Sequence, residues 1–342
     1  MSQGSDKIEK TKDKKPIFSG GLDTKPQANA KTLAPSTAGE KVEDGPSHQN
    51  YVFNHSVDHK GTHLYVRGRV PHHSKKPPII IVHDLGSNST PYREASKKLA
   101  EEGFPTFIYD QRGHGRSGRL LGDVEKHEEL TNDLLQIVAW VRYRCDRKAP
   151  YIVAHGLGAV SAVHFVAEHP ELCQGLALIW PRLTARSTRG RRVLIKTLAE
   201  TLPKLKLPKW LSPRWLQIRR AGYGFATNRF VNEIMTSIDN VAESFNHINT
   251  PTLFLHPSEQ GKPVVTHVFE MIGRHDERNL FESKIIKIGR EQVLVNVEES
   301  KAIFQELLSW FELQRDHVPA RKDTAHDQLS FLDPNNNLEP ES

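Results

Sequence analysis

Short runs that are apolar on both faces punctuate the middle of this chain. PIIIVH at 78–83, TFIYD at 106–110, YIVA at 151–154, GLALIW at 175–180 and PTLFLH at 251–256 do not alternate with polar residues. Strands buried on both faces of a parallel sheet read this way. Between the runs lie stretches with helical spacing. These are 92–103, 159–169 and 124–144, the last with Leu130, Leu134, Ile137, Val138 and Val141 on one side. KIIKI at 284–288 predicts a further strand and 299–314 a closing helix. Ahead of all these, YVFNHSV (51–57) and THLYVRGRV (62–70) flank Asp58-His59-Lys60-Gly61 and predict a hairpin. Strand–helix alternation of this kind predicts an α/β chain with a doubly wound, mostly parallel sheet and helices on both faces.

The 342 residues suffice for one large domain with additions, and no internal repeat is visible. Residues 1–49 carry many Lys, Ser, Gly, Pro and Thr and few large apolar residues; they predict a disordered tail. Residues 316–342, acidic at their end, predict a second one. The core is expected in two parts, 50–181 and 241–315, with an insertion at 182–240. No apolar run approaches the roughly 18 residues of a membrane span. The charged first residues lack the apolar centre of a secretory leader, so a cytoplasmic chain is expected. Two cysteines, Cys145 and Cys173, do not predict a disulfide framework.

Charge changes the picture at one place. The net charge is +6, yet residues 182–220 hold twelve Lys or Arg and one acid, Glu200. The basic character therefore belongs to the insertion. Within it, VLIKTLAETLPKLKLPKWL (193–211) mixes leucines with lysines as an interfacial segment does. Arg186, Arg189, Arg191, Arg192, Lys204, Lys206 and Lys209 are the candidate contacts to an anionic membrane surface, with Trp210 and Trp215 suited to the interface. The competing reading is that the leucines pack inward and the charges are merely solvated. RSTRGRR (186–192) fits phosphates as well. No stacking platform or recognition fold accompanies it, so nucleic acid is disfavoured as a partner.

The chemistry-bearing segment is Tyr151–Ala159: a strand, then His155-Gly156-Leu157-Gly158, then a helix start. With it stand HDLGSNS (83–89), YDQRGHGRSG (109–118) and PTLFLHPSEQ (251–260). These four blocks in order resemble the monoacylglycerol lipase and lysophospholipase branch of the serine α/β-hydrolases, over about residues 50–314. LPKLKLP (202–208) resembles that branch's cap. The resemblance implies the α/β-hydrolase fold, a basic helical cap and an acyl or other apolar small ligand. In the family, a serine in G-x-S-x-G sits on a strained turn and attacks; a histidine takes its proton and an acid orients the histidine. Here the string is A-H-G-L-G. The serine position is Gly156, the acid position is Gln260 and the histidine position is Gln292. Glutamine cannot stabilise an imidazolium or cycle a proton near neutral pH.

The resemblance further assigns the oxyanion-binding N–H groups to Leu85 and Leu157, and pocket-lining places to His83, Asp84 and His155. Asp84 departs from the family's H-G-x-G. Facing inward, its carboxylate would repel a developing oxyanion; facing outward, it would cap a helix, and the outward orientation is the one expected. Other nucleophiles are weaker candidates. Cys145 and Cys173 precede strands, at the edge opposite the ligand side of such sheets. Ser87, Ser89 and Ser117 sit in loops where serines usually form turns. His267, His275 and Asp276 precede the strand that would deliver a catalytic histidine. No H-E-x-x-H or C-x-x-C is present and Gly113 and Gly115 form no dinucleotide fingerprint, so neither metal nor cofactor is expected. Three functions stay open: a non-hydrolytic lipid- or partner-binding protein, an active carboxylic-ester hydrolase with a non-standard catalytic set, and an adaptor acting through the basic segment at a membrane.

Overall fold

A computed structural model describes residues 50–184, 187–208, 210–211, 226–257, 280–286, 294 and 300–315. The hairpin forms from β1 (Asn50–His59) and β2 (Thr62–Pro71), antiparallel and turned at Lys60-Gly61. Then come β3 (Ile79–Val82), α1 (Arg93–Glu101), β4 (Thr106–Tyr109), α2 (Glu128–Arg144), β5 (Tyr151–His155), α3 (Gly158–Glu168) and β6 (Gly175–Ile179). α4 (Arg189–Thr201) and α5 (Asn228–Phe245) follow, then β7 (Thr252–Pro257), β8 (Phe281–Ile286) and α6 (Lys301–Leu313). The sheet order is β1-β2-β4-β3-β5-β6-β7-β8. β2 runs antiparallel to β4, and the strands from β4 to β8 are mutually parallel.

The apolar runs divide their side chains between two cores. Ile80, Val82, Phe107, Tyr109, Ile152 and Ala154 face α2, α3 and α5. Ile79, Ile81, Ile108, Tyr151 and Val153 face α1 and α6. A side-chain period of two thus makes a continuous apolar run fill both faces. Two boundaries differ from expectation. The strand expected at 284–288 begins at Phe281, paired through Phe281↔Thr252. It is an outer strand with half-buried residues, so its polar half FESK carries no apolar signal. α2 begins at Glu128 rather than 124, because Asp123 is held in the preceding loop by Thr227 and Arg229. No helix among the described residues is long and apolar enough to cross a membrane.

Candidate functional site

Parallel strands deliver their carboxyl ends, and the loops after them, to one edge of the sheet. There β3 ends in His83-Asp84, β5 in His155-Gly156 and β6 in Trp180. The structure brings His83, Asp84, Leu85, His155, Gly156 and Leu157 together at this edge. Gln260, Gln292, Arg186 and Lys209 lie outside the described residues, as do His267, His275, Asp276 and the two predicted tails.

Gly156 has φ +60, the left-handed region that a residue with a Cβ enters only with strain. Its N–H donates to Ile179 O at 3.1 Å and its carbonyl accepts from Arg182 N at 3.0 Å. Two residues on, Gly158 lets α3 start tight against β3, because a Cβ there would collide with His83 O. The strand–turn–helix elbow is therefore intact in backbone.

Asp84 is oriented otherwise than expected. Its carboxylate faces inward: Leu157 N–H donates to Asp84 Oδ1 at 2.7 Å. A Cβ built on Gly156 would overlap that carboxylate. The anion thus occupies the volume next to the vacant side-chain position and takes the N–H at the head of α3. The physical reason is local. A backbone donor at a helix start attracts an anion, and glycine at 156 leaves room for one. Arg182 Nη2 stands 3.8 Å from Asp84 Oδ2 and partly offsets its charge. The Arg182 guanidinium also lies over the Trp180 ring, 4.5 Å from its centroid.

Buried hydrogen bonds fix the floor of the site. Tyr92 Oη accepts from Asp84 N–H at 3.0 Å and its hydroxyl donates to His155 Nδ1 at 2.7 Å. His155 then carries its proton on Nε2, which is buried and has no partner among the described residues. Burial, partly offset by Asp84, pushes the His155 pKa down to about 4, so the ring is neutral. His83 Nδ1–H donates to Asp84 O at 2.8 Å, and His83 Nε2 accepts from Gln111 N–H at 2.9 Å. Burial likewise lowers the pKa of His83. Sequence reasoning missed Tyr92, Arg182 and Gln111; only their contacts single them out, and no motif marks Tyr92 or Arg182.

The remaining motif residues serve the loops. Asp110 Oδ1 accepts from Ser89 N–H at 2.5 Å and Oδ2 from Arg116 N–H at 2.8 Å. Ser117 accepts from Tyr65 N–H at 2.9 Å and donates to Asp110 O. Burial pushes the Cys173 thiol pKa up to about 12 and that of Cys145 up to about 11. Neither thiol is primed as a nucleophile. On α4, Arg192 makes a two-pronged pair with Asp239, and Arg191 Nη2 donates to Trp210 O at 3.1 Å. Arg189, Lys204 and Lys206 are exposed. Val193, Leu194, Leu202, Leu205 and Trp210 are exposed too, while Ile195 packs inward.

The family model described as serine aminopeptidase, S33 matches residues 73–261. Lysophospholipase L2 of Escherichia coli (strain K12) is 33% identical over 122 residues, which is 34% of this chain and 35% of that protein. Monoglyceride lipase of Homo sapiens is 28% identical over 156 residues, 45% of this chain and 52% of that protein. The chain thus spans about a third to a half of the length of the curated relatives it matches. The crystal structure of Paleococcus ferrophilus monoacylglycerol lipase superposes with TM-score 0.59 at 17% identity, covering 73% of this chain and 99% of that one. A soluble variant of monoglyceride lipase from Saccharomyces cerevisiae, in complex with a substrate analog, gives TM-score 0.63 at 14% identity, covering 76% and 94%. At those identities the likeness is one of fold.

Proposed function

Since this chain belongs to the serine aminopeptidase S33 family of α/β-hydrolases, similar to its monoacylglycerol lipases and lysophospholipases, we propose that it binds a lipid or a partner without hydrolysing esters. The observation that carries this reading is the Asp84 carboxylate on Leu157 N–H beside Gly156. Ester cleavage needs a nucleophile at the elbow and free donors for the oxyanion, about 2.7–3.1 Å from it. Position 156 offers no side chain, and the donor of Leu157 already has an anionic acceptor. A second negative charge beside Asp84 is repelled. Gln260 and Gln292, at the family's acid and histidine positions, support the same reading. So do the relatives named for lipid substrates, which favour an apolar ligand.

A medium-chain p-nitrophenyl ester tests the proposal. The parent and the variant Gly156→Ser/Gln260→Asp/Gln292→His are expected to be inactive, since in the variant the serine and the Asp84 carboxylate contend for the volume beside the Leu157 donor. Adding Asp84→Gly to that variant is expected to give turnover. Parent turnover beyond the roughly 10³–10⁴-fold over water that binding and backbone donors supply, or stoichiometric labelling of the parent by a fluorophosphonate, overturns it in favour of an active hydrolase with a non-standard set.

A second role is favoured by the exposed Val193, Leu194, Leu202, Leu205 and Trp210 standing among Arg189, Lys196 and Lys204. This mixture suits peripheral attachment of a cytoplasmic chain to an anionic membrane.

A further inference from the structure

Away from the elbow, a cleft of about 330 Å³ opens where the 119–125 loop meets the segment before α5. Four cations and three acids line it. Most of these charges are spent. Arg112 is locked between Asp133 behind it and Glu129, with Nη2–Oδ1 2.7 Å and Nη1–Oε1 2.6 Å. Arg229 grips Asp123 through Nε and Nη2. That leaves Arg119, whose Nε donates to Thr62 Oγ1 at 3.1 Å, Lys204, the Nη1 end of Arg229 and one acid, Glu125.

Glu125 is placed as a stand-in ligand. Its Oε1 is 3.4 Å from Arg119 Nη1 and 3.9 Å from Arg229 Nη1. Charge-assisted hydrogen bonds close to about 2.7–2.9 Å, so one half-exposed carboxylate oxygen serves two guanidiniums loosely. Lys204, from another element, also lines the cleft, and its ammonium pairs with no acid among the described residues. The backbone on either side of Lys204 is fixed. Arg229 N–H donates to Pro203 O at 3.1 Å, Asn228 N–H to Leu205 O at 2.9 Å, and Asn228 Nδ2 to Leu202 O at 2.9 Å. Arg119 itself has φ +85. A backbone held in that strained region, at about 1–3 kcal/mol, persists only where its surroundings impose it, and such residues gather at ligand clamps.

We propose that this cleft binds a phosphomonoester, whose phosphate displaces Glu125 and bridges Arg119, Lys204 and Arg229. A monoanionic carboxylate from solution would only exchange one charge for the same charge. A phosphate carries close to two charges and three strong acceptor oxygens, enough to meet three cations from three elements. Leu120 and Val124 give the cleft an apolar wall, and Leu121, Leu202 and Leu205 are exposed in the adjoining segments. The ester's carbon portion therefore has apolar surface to rest on. A free phosphomonoester and a lipid's phosphate headgroup share this chemistry.

Calorimetric titration of the full chain with sn-glycerol 3-phosphate tests the site. Glu125→Gln is expected to bind about tenfold tighter than the parent and Lys204→Ala about tenfold weaker. Lys98→Ala, on α1 at the opposite face of the sheet, is expected to match the parent. Arg119→Gly is expected to lose binding while keeping or raising Tm, since it removes the strained φ; a purely structural Arg119 would lower Tm. Flotation with phosphatidylcholine vesicles carrying phosphatidate, against vesicles of equal charge carrying phosphatidylserine, identifies the source. Capture by phosphatidate alone, lost in Lys204→Ala, assigns a lipid headgroup; soluble binding without that capture assigns a free phosphomonoester. Absence of both at millimolar concentration, even in Glu125→Gln, overturns the proposal, and so does a loss in Lys98→Ala equal to that in Lys204→Ala.

Discussion

Any residue other than glycine at 156 would push its Cβ into the Asp84 carboxylate, and would do so at φ +60. Gly156→Ser alone is therefore expected to destabilise by about 1–3 kcal/mol through strain, with the steric conflict added. With Asp84→Gly in the background, the cost is expected to shrink toward the strain alone. A double-mutant cycle of urea midpoints reads the coupling; strict additivity would mean the two residues do not compete for the same space. The buried histidines set a second expectation. Burial lowers the pKa of His155 and His256 to about 4 and that of His114 to about 3. Their unfolded value is near 6.5, so the folded state binds fewer protons. The stability they contribute is whole above about pH 6.5 and is lost as pH falls toward 4, by about 3 kcal/mol for His155. Urea midpoints taken between pH 7 and 4 should fall, and His155→Gln should flatten part of that fall.

Among the elements, Arg112 ties the loop after β4 to α2. Its Nε and Nη2 meet both oxygens of Asp133 at 2.9 and 2.7 Å, and both side chains are almost wholly buried. His59 Nδ1, from the end of β1, reaches Asp133 Oδ1 at 2.7 Å. Breaking a buried pair leaves a charge without its partner, so Arg112→Ala should cost about 3–5 kcal/mol. Arg112→Ala with Asp133→Asn should recover part of it, as thermal or urea unfolding would report. The YDQRGHGRSG block thus carries architecture, and its conspicuous charged residues need no substrate to account for them.

Over the whole molecule, charge and apolar surface coincide on α4 and the segment after it. Binding to anionic vesicles is expected to fall with salt, and each exposed cation contributes about 1 kcal/mol at most. Arg192 is already engaged by Asp239, so Arg189→Gln should weaken vesicle binding more than Arg192→Gln. Equal effects from the two would count against the pairing, and binding unchanged after neutralising Arg189, Arg191 and Arg192 together would count against a membrane role. Trp210→Ser should weaken binding in a manner that salt does not mimic.

Much of the architecture was legible because buried parallel strands must be apolar on both faces. PIIIVH and YIVA declare themselves without any tertiary information, and helical spacing places α2 and α3 between strands and α6 after the last one. The half-exposed outer strand β8 was misplaced because its FESK half carries no such constraint. The elbow was legible as well, since only the A-H-G-L-G string at a strand end shows glycine where the family has serine. The sequence by itself could not orient Asp84. Whether a carboxylate beside a glycine turns outward to water or inward to a helix N–H depends on the donor of Leu157, 73 positions away in the chain. Tyr92 and Arg182 join the site, and Lys204 joins Arg119 and Arg229 at the cleft, by the same route. Periodicity follows from burial, which each segment experiences locally, whereas these contacts exist only once distant segments have been brought side by side.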